Sequence, residues 1–181
     1  MNQVISLIIS LLLCNVTLAK NTYQIDMILF AHPQSANELF ELSTPLIPVS
    51  KKATTLQSST VKTNKLYTLL PPSQSGLSDE YYLLSRRSYF KVLGQYSWRQ
   101  TSTQQDVVAL PKMSTKGWLM QGTLQVRQGN YYSFDADLQF SPPSKPDAAF
   151  IVSQKQRIEG GKRYYLDNPY VGIVVKIHQV A

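Results

Sequence analysis

The stretch RYYLDNPYVGIVVKI, residues 163–177, decides the fold class of this chain. Asn168 precedes a proline and is disfavoured in the helical region, while Pro169 fixes its own φ and donates no backbone hydrogen bond, so the chain turns here. Apolar residues then recur at every second position from Val171 to Ile177, which predicts a strand with one fully apolar face. In the simplest interpretation, the turn only docks this C-terminal strand.

Three further segments predict two strands and a helix. Residues 23–30 alternate and then become apolar on both sides, as expected for a strand near the middle of a sheet. Residues 78–87 predict a short helix with Ser78 as its N-cap, acidic residues in its first turn and arginines in its last. The residues expected to face the sheet from this helix are Leu77, Tyr81 and Leu84. Residues 89–99 predict the next strand, and the side chains expected to share one side of it are Phe90, Val92, Tyr96 and Trp98.

Residues 118–127 and 131–140 predict a hairpin with a three-residue loop at 128–130. This loop length sets apolar residues opposite each other, whereas a two-residue loop would turn the apolar set of one strand to the wrong face. The expected pairs are Val126 with Tyr132, Leu124 with Phe134, Gly122 with Ala136, Met120 with Leu138, and Trp118 with Phe140. Residues 148–158 predict another strand. The whole pattern predicts one α+β domain, mainly an antiparallel β-sheet with one short packed helix.

The N-terminal segment predicts export. Residues 4–13 form an apolar run too short to span a bilayer, and residues 16–19 suit a cleavage site. We therefore expect a signal peptide at 1–19 and an exported mature domain at 20–181, with no stable membrane span after cleavage. Because residues 1–3 lack Lys and Arg, an uncleaved anchor is the alternative. Leu13 stands where a lipidation site requires a small residue, which argues against a lipid on Cys14.

Cleavage would also remove the only cysteine of the chain, so the stability of the mature domain would come from its core rather than from a disulfide. Between the first strand and the helix, residues 43–75 are rich in Ser, Thr, Pro and Lys and predict a long, flexible connection. Within and before it, we expect a strand-like piece only at 66–70 and a short helix at 35–42.

Charge and aromatic content favour a binding surface over an active site. The chain has 18 Lys and Arg against 11 Asp and Glu, a net charge of +7, and 11 tyrosines. Aromatic rings can lie on the faces of sugars, and basic side chains attract carboxylates. An exported chain does not meet nucleic acid, so we expect none as a partner. An anionic membrane or lipopolysaccharide remains an open alternative.

Catalytic residues are few. The two histidines, His32 and His178, lie far apart in the sequence and have no Asp or Glu at metal-ligand spacing. Asp79 and Glu80 are neighbours on the predicted helix and point to different faces, so the helix dipole explains them better than a glycosidase mechanism does. We predict no enzymatic activity, no metal and no cofactor.

The 163–172 segment resembles the ending of the CsiV-type periplasmic peptidoglycan-binding family, whose usual form is His-Tyr-Leu-Asp-His-Pro-x-Phe-Gly before a last strand. Residues 23–30, 77–100 and 117–140 are similar to that family in order and spacing. The positions that keep the pattern are Asp167, Pro169 and Gly172. The positions that depart from it are Tyr164, Asn168 and Val171, where the family usually has His, His and Phe.

The resemblance implies a murein-binding protein that supports cell-wall synthesis by recruiting or scaffolding a lipoprotein activator of peptidoglycan synthases. The candidate ligand-binding residues are Trp98, Arg99, Arg163, Tyr165, Asp167 and Tyr170, and the candidate turn residues are Asn168, Pro169 and Gly172. The strand pattern around Trp98 favours a core position for that ring instead.

Two other functions are compatible with the sequence. One is an envelope adaptor that binds another protein through an exposed sheet edge and never touches murein. The other is a glycan hydrolase, which would need convergent carboxylates that the sequence does not place together.

Export gives the first testable prediction. Mass spectrometry of the protein isolated from its native host should show an N-terminus at Lys20, because cleavage follows Ala19. A retained N-terminus or an acylated Cys14 would contradict a soluble periplasmic product.

Overall fold

The computed structural model describes residues 21–33, 53–57 and 67–180. The predicted signal peptide at 1–19 and the predicted helix at 35–42 lie outside these residues. One α-helix, α1 (Ser78–Arg86), and a 3-10 helix (Pro72–Gln74) are present in the described part of the chain. The strands described are β1 (Thr22–Ala31), β2 (Thr54–Thr55), β3 (Lys91–Thr101), β4 (Val108–Ala109), β5 (Met113–Thr115), β6 (Trp118–Gln128), β7 (Tyr132–Ser141), β8 (Phe150–Ile158), β9 (Arg163–Asp167) and β10 (Val171–Val180).

The strands form two sheets. Sheet 1 has the order β3-β1-β10-β9, with every neighbouring pair antiparallel. Sheet 2 has the order β2-β4-β6-β7-β8, with β5 also paired to β6, and only its short β2–β4 pair is parallel among the described strands. The predicted α+β class, mainly antiparallel with one short helix, is therefore confirmed.

The two sheets pack face to face around one hydrophobic core. The Tyr23 ring of sheet 1 lies 5.1 Å from the Tyr132 ring of sheet 2, and the Tyr23 hydroxyl donates to the carbonyl oxygen of Val126 at 3.3 Å. Alternate residues of each strand fill the space between the sheets, as the period of a strand requires. The largest core side chains from the two sheets include Ile25, Met27, Leu29, Tyr96, Trp98, Leu124, Phe134, Leu138, Phe140, Ile173 and Ile177.

Strand β1 is buried on both faces. It lies between β3 and β10, and every residue from Tyr23 to Ala31 is buried. Ile25 faces the core between the sheets, whereas Ile28 and Phe30 face outward and are covered by other parts of the chain. This confirms the prediction of a strand in the middle of a sheet. We call the side of sheet 1 that faces away from sheet 2 the outer face of sheet 1.

The alternating face predicted for the C-terminal strand is confirmed by β10, whose Val171, Ile173, Val175 and Ile177 are all buried in the core. The prediction for residues 89–99 was wrong in part. The pairing of β1 with β3 shifts between Leu29 and Phe30, whose partners are Gly94 and Val92, so Leu93 is the inserted residue of a β-bulge. Leu93 therefore joins the core, and Val92 does not share the face of Tyr96 and Trp98.

The predicted hairpin is formed by β6 and β7, but its register was predicted wrongly. Gln128 pairs with Tyr132, so the three loop residues are 129–131 rather than 128–130. The observed pairs are Val126 with Phe134, Leu124 with Ala136, Gly122 with Leu138, and Met120 with Phe140. The error is a shift of two residues, which keeps every predicted core residue on the core face. The observed register sets the bulky Leu138 opposite Gly122, where the absence of a side chain leaves room for it.

The helix differs from its prediction at its start. Leu77, rather than Ser78, is the N-cap, and the Ser78 hydroxyl donates back to the carbonyl oxygen of Ser75 at 2.9 Å. Leu77 is fully buried, but no residue of α1 itself is buried, and Tyr81 is exposed. The helix contacts β3, so it lies on sheet 1 and is held mainly by the segment that leads into it.

Two pieces of the predicted connection are described. Leu56 and Tyr67 are both buried in the core, and Gln57 and Thr68 form an isolated parallel bridge. Burial, together with the hydrogen bond that its hydroxyl donates to Asp106 Oδ2 at 3.0 Å, raises the pKa of Tyr67 to about 12. These pieces therefore pack against the domain.

The close approach of β6 and β7 gives a second prediction. A Cβ added at Gly122 would lie 2.7 Å from Leu138 Cα and would also overlap the backbone oxygen of Asp137, so Gly122→Ala forces the two backbones apart. We expect a loss of about 2–3 kcal/mol in the free energy of unfolding, measured by denaturant titration.

Gly129→Ala in the loop of the same hairpin is the control. The nearest heavy atom to an added Cβ there is the carbonyl oxygen of Tyr131 at 3.8 Å, so we expect a change within about 0.5 kcal/mol. Equal stability of the two variants would contradict the observed register.

Candidate functional site

Strand β9 presents three of the predicted site residues on one face. Because side chains alternate along a strand, Tyr164 and Leu166 turn toward the core, while Arg163, Tyr165 and Asp167 project from the outer face of sheet 1. Tyr165 is 52% exposed, although its ring packs on other aromatic side chains. The alternation of side chains along β9 thus brings together a guanidinium group, an aromatic ring and a carboxylate.

Tyr165 and Asp167 form a hydrogen-bonded network with His32, which follows β1. The Tyr165 hydroxyl donates to Asp167 Oδ1 at 2.7 Å, and His32 Nε2 lies 3.1 Å from the same oxygen and 3.3 Å from the hydroxyl. The Tyr165 hydrogen bond and the neighbouring His32 lower the pKa of Asp167. Burial, followed by the hydrogen bond to Asp167, raises the pKa of Tyr165. The network therefore lowers the pH at which this surface carboxylate takes up a proton.

Aromatic rings support this network from below. The Phe30 and Tyr165 rings are stacked with centroids 6.1 Å apart and an interplanar angle of 15°. The Phe30 ring also meets the His32 ring at 5.4 Å and the Phe90 ring at 5.1 Å, and Tyr89 lies 4.6 Å from Phe90. We call these five side chains, Phe30, His32, Tyr89, Phe90 and Tyr165, the aromatic platform.

Gly172 makes the platform possible. It pairs with Phe30 across β1 and β10 and with Asp167 across β10 and β9, so it lies directly beneath the rings. A Cβ at this position would overlap the Phe30 ring and would lie 2.8 Å from the Tyr165 ring. The glycine in the Pro-Tyr-Val-Gly sequence is therefore required by the close approach of two rings to the backbone of β10.

Arg163 already has a partner. Its Nε and Glu80 Oε1, in the first turn of α1, form an ion pair at 2.5 Å. The Arg163 side chain is largely exposed, so the pair contributes little to stability, but it links β9 to the helix. A ligand carboxylate at Arg163 would therefore share the guanidinium with Glu80.

Asn168 and Pro169 lie in the turn between β9 and β10, whereas Gly172, which was predicted with them as a turn residue, lies within β10. Asn168 Oδ1 accepts the backbone N–H of Tyr170 at 3.1 Å, and the Asn168 N–H donates to the carbonyl oxygen of Val171 at 3.1 Å. Pro169 is exposed between them. The Tyr170 ring is half-buried against the core, 5.0 Å from the Phe150 ring of sheet 2, and is not part of the platform.

The other two predicted site residues lie elsewhere. Trp98 is fully buried in the core, where its indole N–H donates to Gln100 Oε1 at 3.0 Å, so its ring offers no face to a ligand. Arg99 is exposed and its Nε donates to Gln24 Oε1 at 3.4 Å. Gln24 precedes His32 by eight residues of extended chain, about 26 Å. Arg99 and the platform are therefore at opposite ends of sheet 1.

A second polar cluster fastens the segment before α1 to the outer face of sheet 1. Asp26 is fully buried, and its Oδ1 accepts the Gln24 side-chain amide at 2.9 Å. The same Gln24 amide donates to the carbonyl oxygen of Gln74 at 2.7 Å. His178 Nδ1 lies 3.5 Å from Asp26 Oδ2, and burial is the main cause that lowers the pKa of His178. This cluster is internal and explains the second histidine.

The sequence predictions missed most of the platform. The sequence patterns predict Phe30 and Phe90 only as strand residues, and they give His32 no place in a site. The signal lay in the pairing of strands, because the antiparallel partners Ala31 and Val171 bring the end of β1 beside the C-terminal turn. Among residues 21–33, 53–57 and 67–180, no group of three or more His, Cys, Asp or Glu side chains is placed to hold a metal ion.

The hydrogen-bonded network gives a third prediction. Tyr165→Phe removes the hydroxyl that stabilises the Asp167 carboxylate, so the pKa of Asp167 should rise toward its ordinary value, as measured by carbon-detected NMR titration. Because folding lowers the pKa of Asp167, the network stabilises the fold at pH values above the ordinary pKa of an aspartate side chain. That contribution is lost as the pH falls through the lowered pKa.

Tyr164→Phe is the matched control. The Tyr164 hydroxyl accepts the backbone N–H of Glu159 at 3.1 Å and does not contact Asp167, so the Asp167 titration should not change. An unchanged titration in Tyr165→Phe would mean that the hydroxyl is not bonded to the carboxylate in solution.

A comparison with known protein families identifies the family of this chain. No helix in the described residues is long and apolar enough to cross a membrane. No curated protein and no solved structure matches the chain. The family model described as "Peptidoglycan-binding protein, CsiV" matches residues 3–180, nearly the whole chain. The chain therefore belongs to the CsiV family of peptidoglycan-binding proteins.

Proposed function

We propose that this chain is a periplasmic, non-enzymatic protein that binds peptidoglycan through the aromatic platform and the side chains beside it. The observation that carries the proposal is the exposed Tyr165 ring, which rests on Phe30 and stands beside the charged Asp167. Family membership supports the ligand class, and the platform supports the place.

The Tyr165 ring suits a sugar because it is both exposed and fixed. One face is stacked on Phe30, and the hydroxyl is held by Asp167, so little conformational entropy is lost when a ligand packs on the open part of the ring. Asp167 can accept hydrogen bonds from sugar hydroxyls with its charged oxygens. A ring and a carboxylate on the same edge of the sheet together define an apolar and a polar contact for one saccharide unit.

The peptide part of peptidoglycan supplies a third contact. Its carboxylates are attracted by the net charge of +7 and can reach Arg163, which lies two residues before Tyr165 on the same face. Because Glu80 already neutralises part of the Arg163 charge, this contact contributes less than an unpaired arginine would.

The biological role proposed for the chain is support of cell-wall synthesis, in which it recruits or scaffolds a lipoprotein activator of a peptidoglycan synthase. Family membership supports this role through the ligand class only. The proposed protein consists of a signal peptide at 1–19, removed on export, and a single domain at 20–181. No step of this role requires chemistry by the chain itself.

A second candidate function is an adaptor that binds another envelope protein and not murein. The observation in its favour is the surface of α1, where Tyr82 is 56% and Leu83 61% exposed, while the helix buries none of its residues. The two functions predict opposite results with isolated cell walls.

The fourth prediction tests the platform by co-sedimentation with purified sacculi. We expect Tyr165→Ala to weaken binding about tenfold, since an aromatic contact contributes roughly 1 kcal/mol beyond its area. Asp167→Asn keeps the shape of the side chain but removes its charge, and it should also weaken sedimentation. Thermal melts of both variants check that the domain is folded.

Tyr82→Ala is the matched control, because Tyr82 is as exposed as Tyr165 but lies on the helix. It should sediment like the unchanged protein. Sedimentation of both Tyr165→Ala and Asp167→Asn at the wild-type level would remove the platform and its neighbouring carboxylate from the binding site. No sedimentation of any form at low and at high salt would favour the adaptor.

A further inference from the structure

The outward side of sheet 2 carries a polar groove that the proposed function does not use. Two adjoining cavities of about 340 and 370 Å³ lie on this face, and they share Arg127, Asp135 and Lys155. The residues that alternate with the core positions of β6, β7 and β8 line them. We call this surface the sheet 2 groove; its principal side chains are Arg127, Tyr131, Asp135, Asp137, Lys155 and Arg157.

Some charges of the groove satisfy each other. Arg127 Nη2 and Asp135 Oδ2 form an ion pair at 2.7 Å across β6 and β7. The Arg157 guanidinium lies 4.6 Å from the centre of the Tyr131 ring, which holds it over the hairpin loop. These contacts fix the shape of the groove and the direction of its arginines.

Three other charged side chains of the groove form no ion pair with the described residues, although Lys155 stands directly opposite Asp135 in the register of β7 and β8. Within the described part of the chain, neither Lys155 nor Arg157 has a carboxylate within ion-pair distance. Asp137 accepts a hydrogen bond from the Ser153 hydroxyl at 2.6 Å and likewise has no cation within ion-pair distance among these residues. The groove therefore offers two cations and one carboxylate to a ligand.

The spacing of these groups sets the chemistry of the ligand. Asp137 pairs with Ser153, and Lys155 lies two residues further along β8, so the two charged residues are diagonal neighbours about 7–8 Å apart. A ligand with carboxylates alone would be repelled by Asp137, and an uncharged sugar would leave all three groups without a charged partner. A molecule with an ammonium group and carboxylates a few bonds apart complements the whole set.

We propose that the sheet 2 groove binds a short peptide that carries both a free amine and free carboxylates. Lys155 and Arg157 hold the carboxylates, and Asp137 holds the ammonium group. The proposal rests on the proposed function only for the source of such a peptide, since the stem peptides of peptidoglycan carry both groups. The platform on sheet 1 and the groove on sheet 2 would then contact different parts of one polymer.

The test uses the tripeptide L-alanyl-γ-D-glutamyl-meso-diaminopimelate and the full mature protein, followed by NMR chemical shifts and calorimetry. We expect shift changes at Arg127, Asp135 and Lys155. The double variant Lys155→Gln with Arg157→Gln should raise the Kd for the tripeptide about tenfold. Lys145→Gln, an exposed lysine outside the groove, should leave it unchanged. All three positions are exposed, so the variants should fold, and melting curves verify this.

Acetylation of the peptide amines separates the role of Asp137 from a general charge effect. Acetylated peptide should bind the unchanged protein several-fold more weakly, but it should bind Asp137→Asn no more weakly than the unmodified peptide does. Equal losses from acetylation in both proteins would overturn the assignment of Asp137.

The proposal and the function on which it rests can fail separately. Absence of tripeptide binding, or shift changes confined to His32, Tyr165 and their neighbours, would overturn the groove even if sacculi still sediment with the protein. Tripeptide binding that depends on Lys155 and Arg157 would support the groove even if the platform variants sediment normally.

Discussion

The structure depends on a central strand that is buried on both of its faces. Strand β1 gives one face to sheet 2, and the other face must be covered by parts of the chain outside sheet 2. Burial of Ile28 and Phe30 stabilises the domain only if such a cover exists, since apolar area left in water contributes nothing. The segment 70–90, with its buried Leu77 and its short helix, supplies the cover over part of this face.

The same constraint explains the polar residues on the outer face. Asp26 and Gln24 lie on a buried strand, and a buried carboxylate is costly unless it is hydrogen-bonded. The Gln24 side-chain amide donates hydrogen bonds to Asp26 Oδ1 and to the backbone carbonyl oxygen of Gln74. These bonds partly offset the cost of burying Asp26, and they attach the covering segment to β1. At the other end of β1 the cover is aromatic. There, Phe90 and Tyr165 pack against Phe30, and the exposed side of these rings is the proposed binding surface.

Local sequence patterns predicted the composition of the strands well and their pairing less well. The alternation in β10 and in the β6–β7 hairpin identified the core residues because the period of two is a local property. The same period cannot distinguish registers that differ by two residues, which is why the hairpin was placed with Leu124 opposite Phe134 rather than Ala136. The bulge at Leu93 could not be predicted either, since an inserted residue moves the following side chains to the other face of the strand without any signal in the composition.

The candidate site follows the same division. Arg163, Tyr165 and Asp167 were found because they alternate on one short strand beside a turn with strong local signals. Phe30 and His32 join them only through the antiparallel pairing of β1 with β10, which are separated by most of the chain. Phe90 joins them through the pairing of β1 with β3. Trp98 illustrates the opposite case. Its aromatic ring could pack on a sugar, but its place in the strand pattern puts it in the core. Because Trp98 is fully buried, its ring cannot contact a ligand.

Gly172 limits which substitutions the aromatic platform can tolerate. A single hydrogen is the only side chain that fits between the backbone of β10 and the two rings above it, and Phe30 is too buried to move aside freely. The core face of β10 does not include this position. One added methyl group can thus displace the rings while the apolar residues on the other side of the strand stay in place. In evolutionary terms, position 172 is where a descendant of this chain could lose the proposed binding surface and keep its fold.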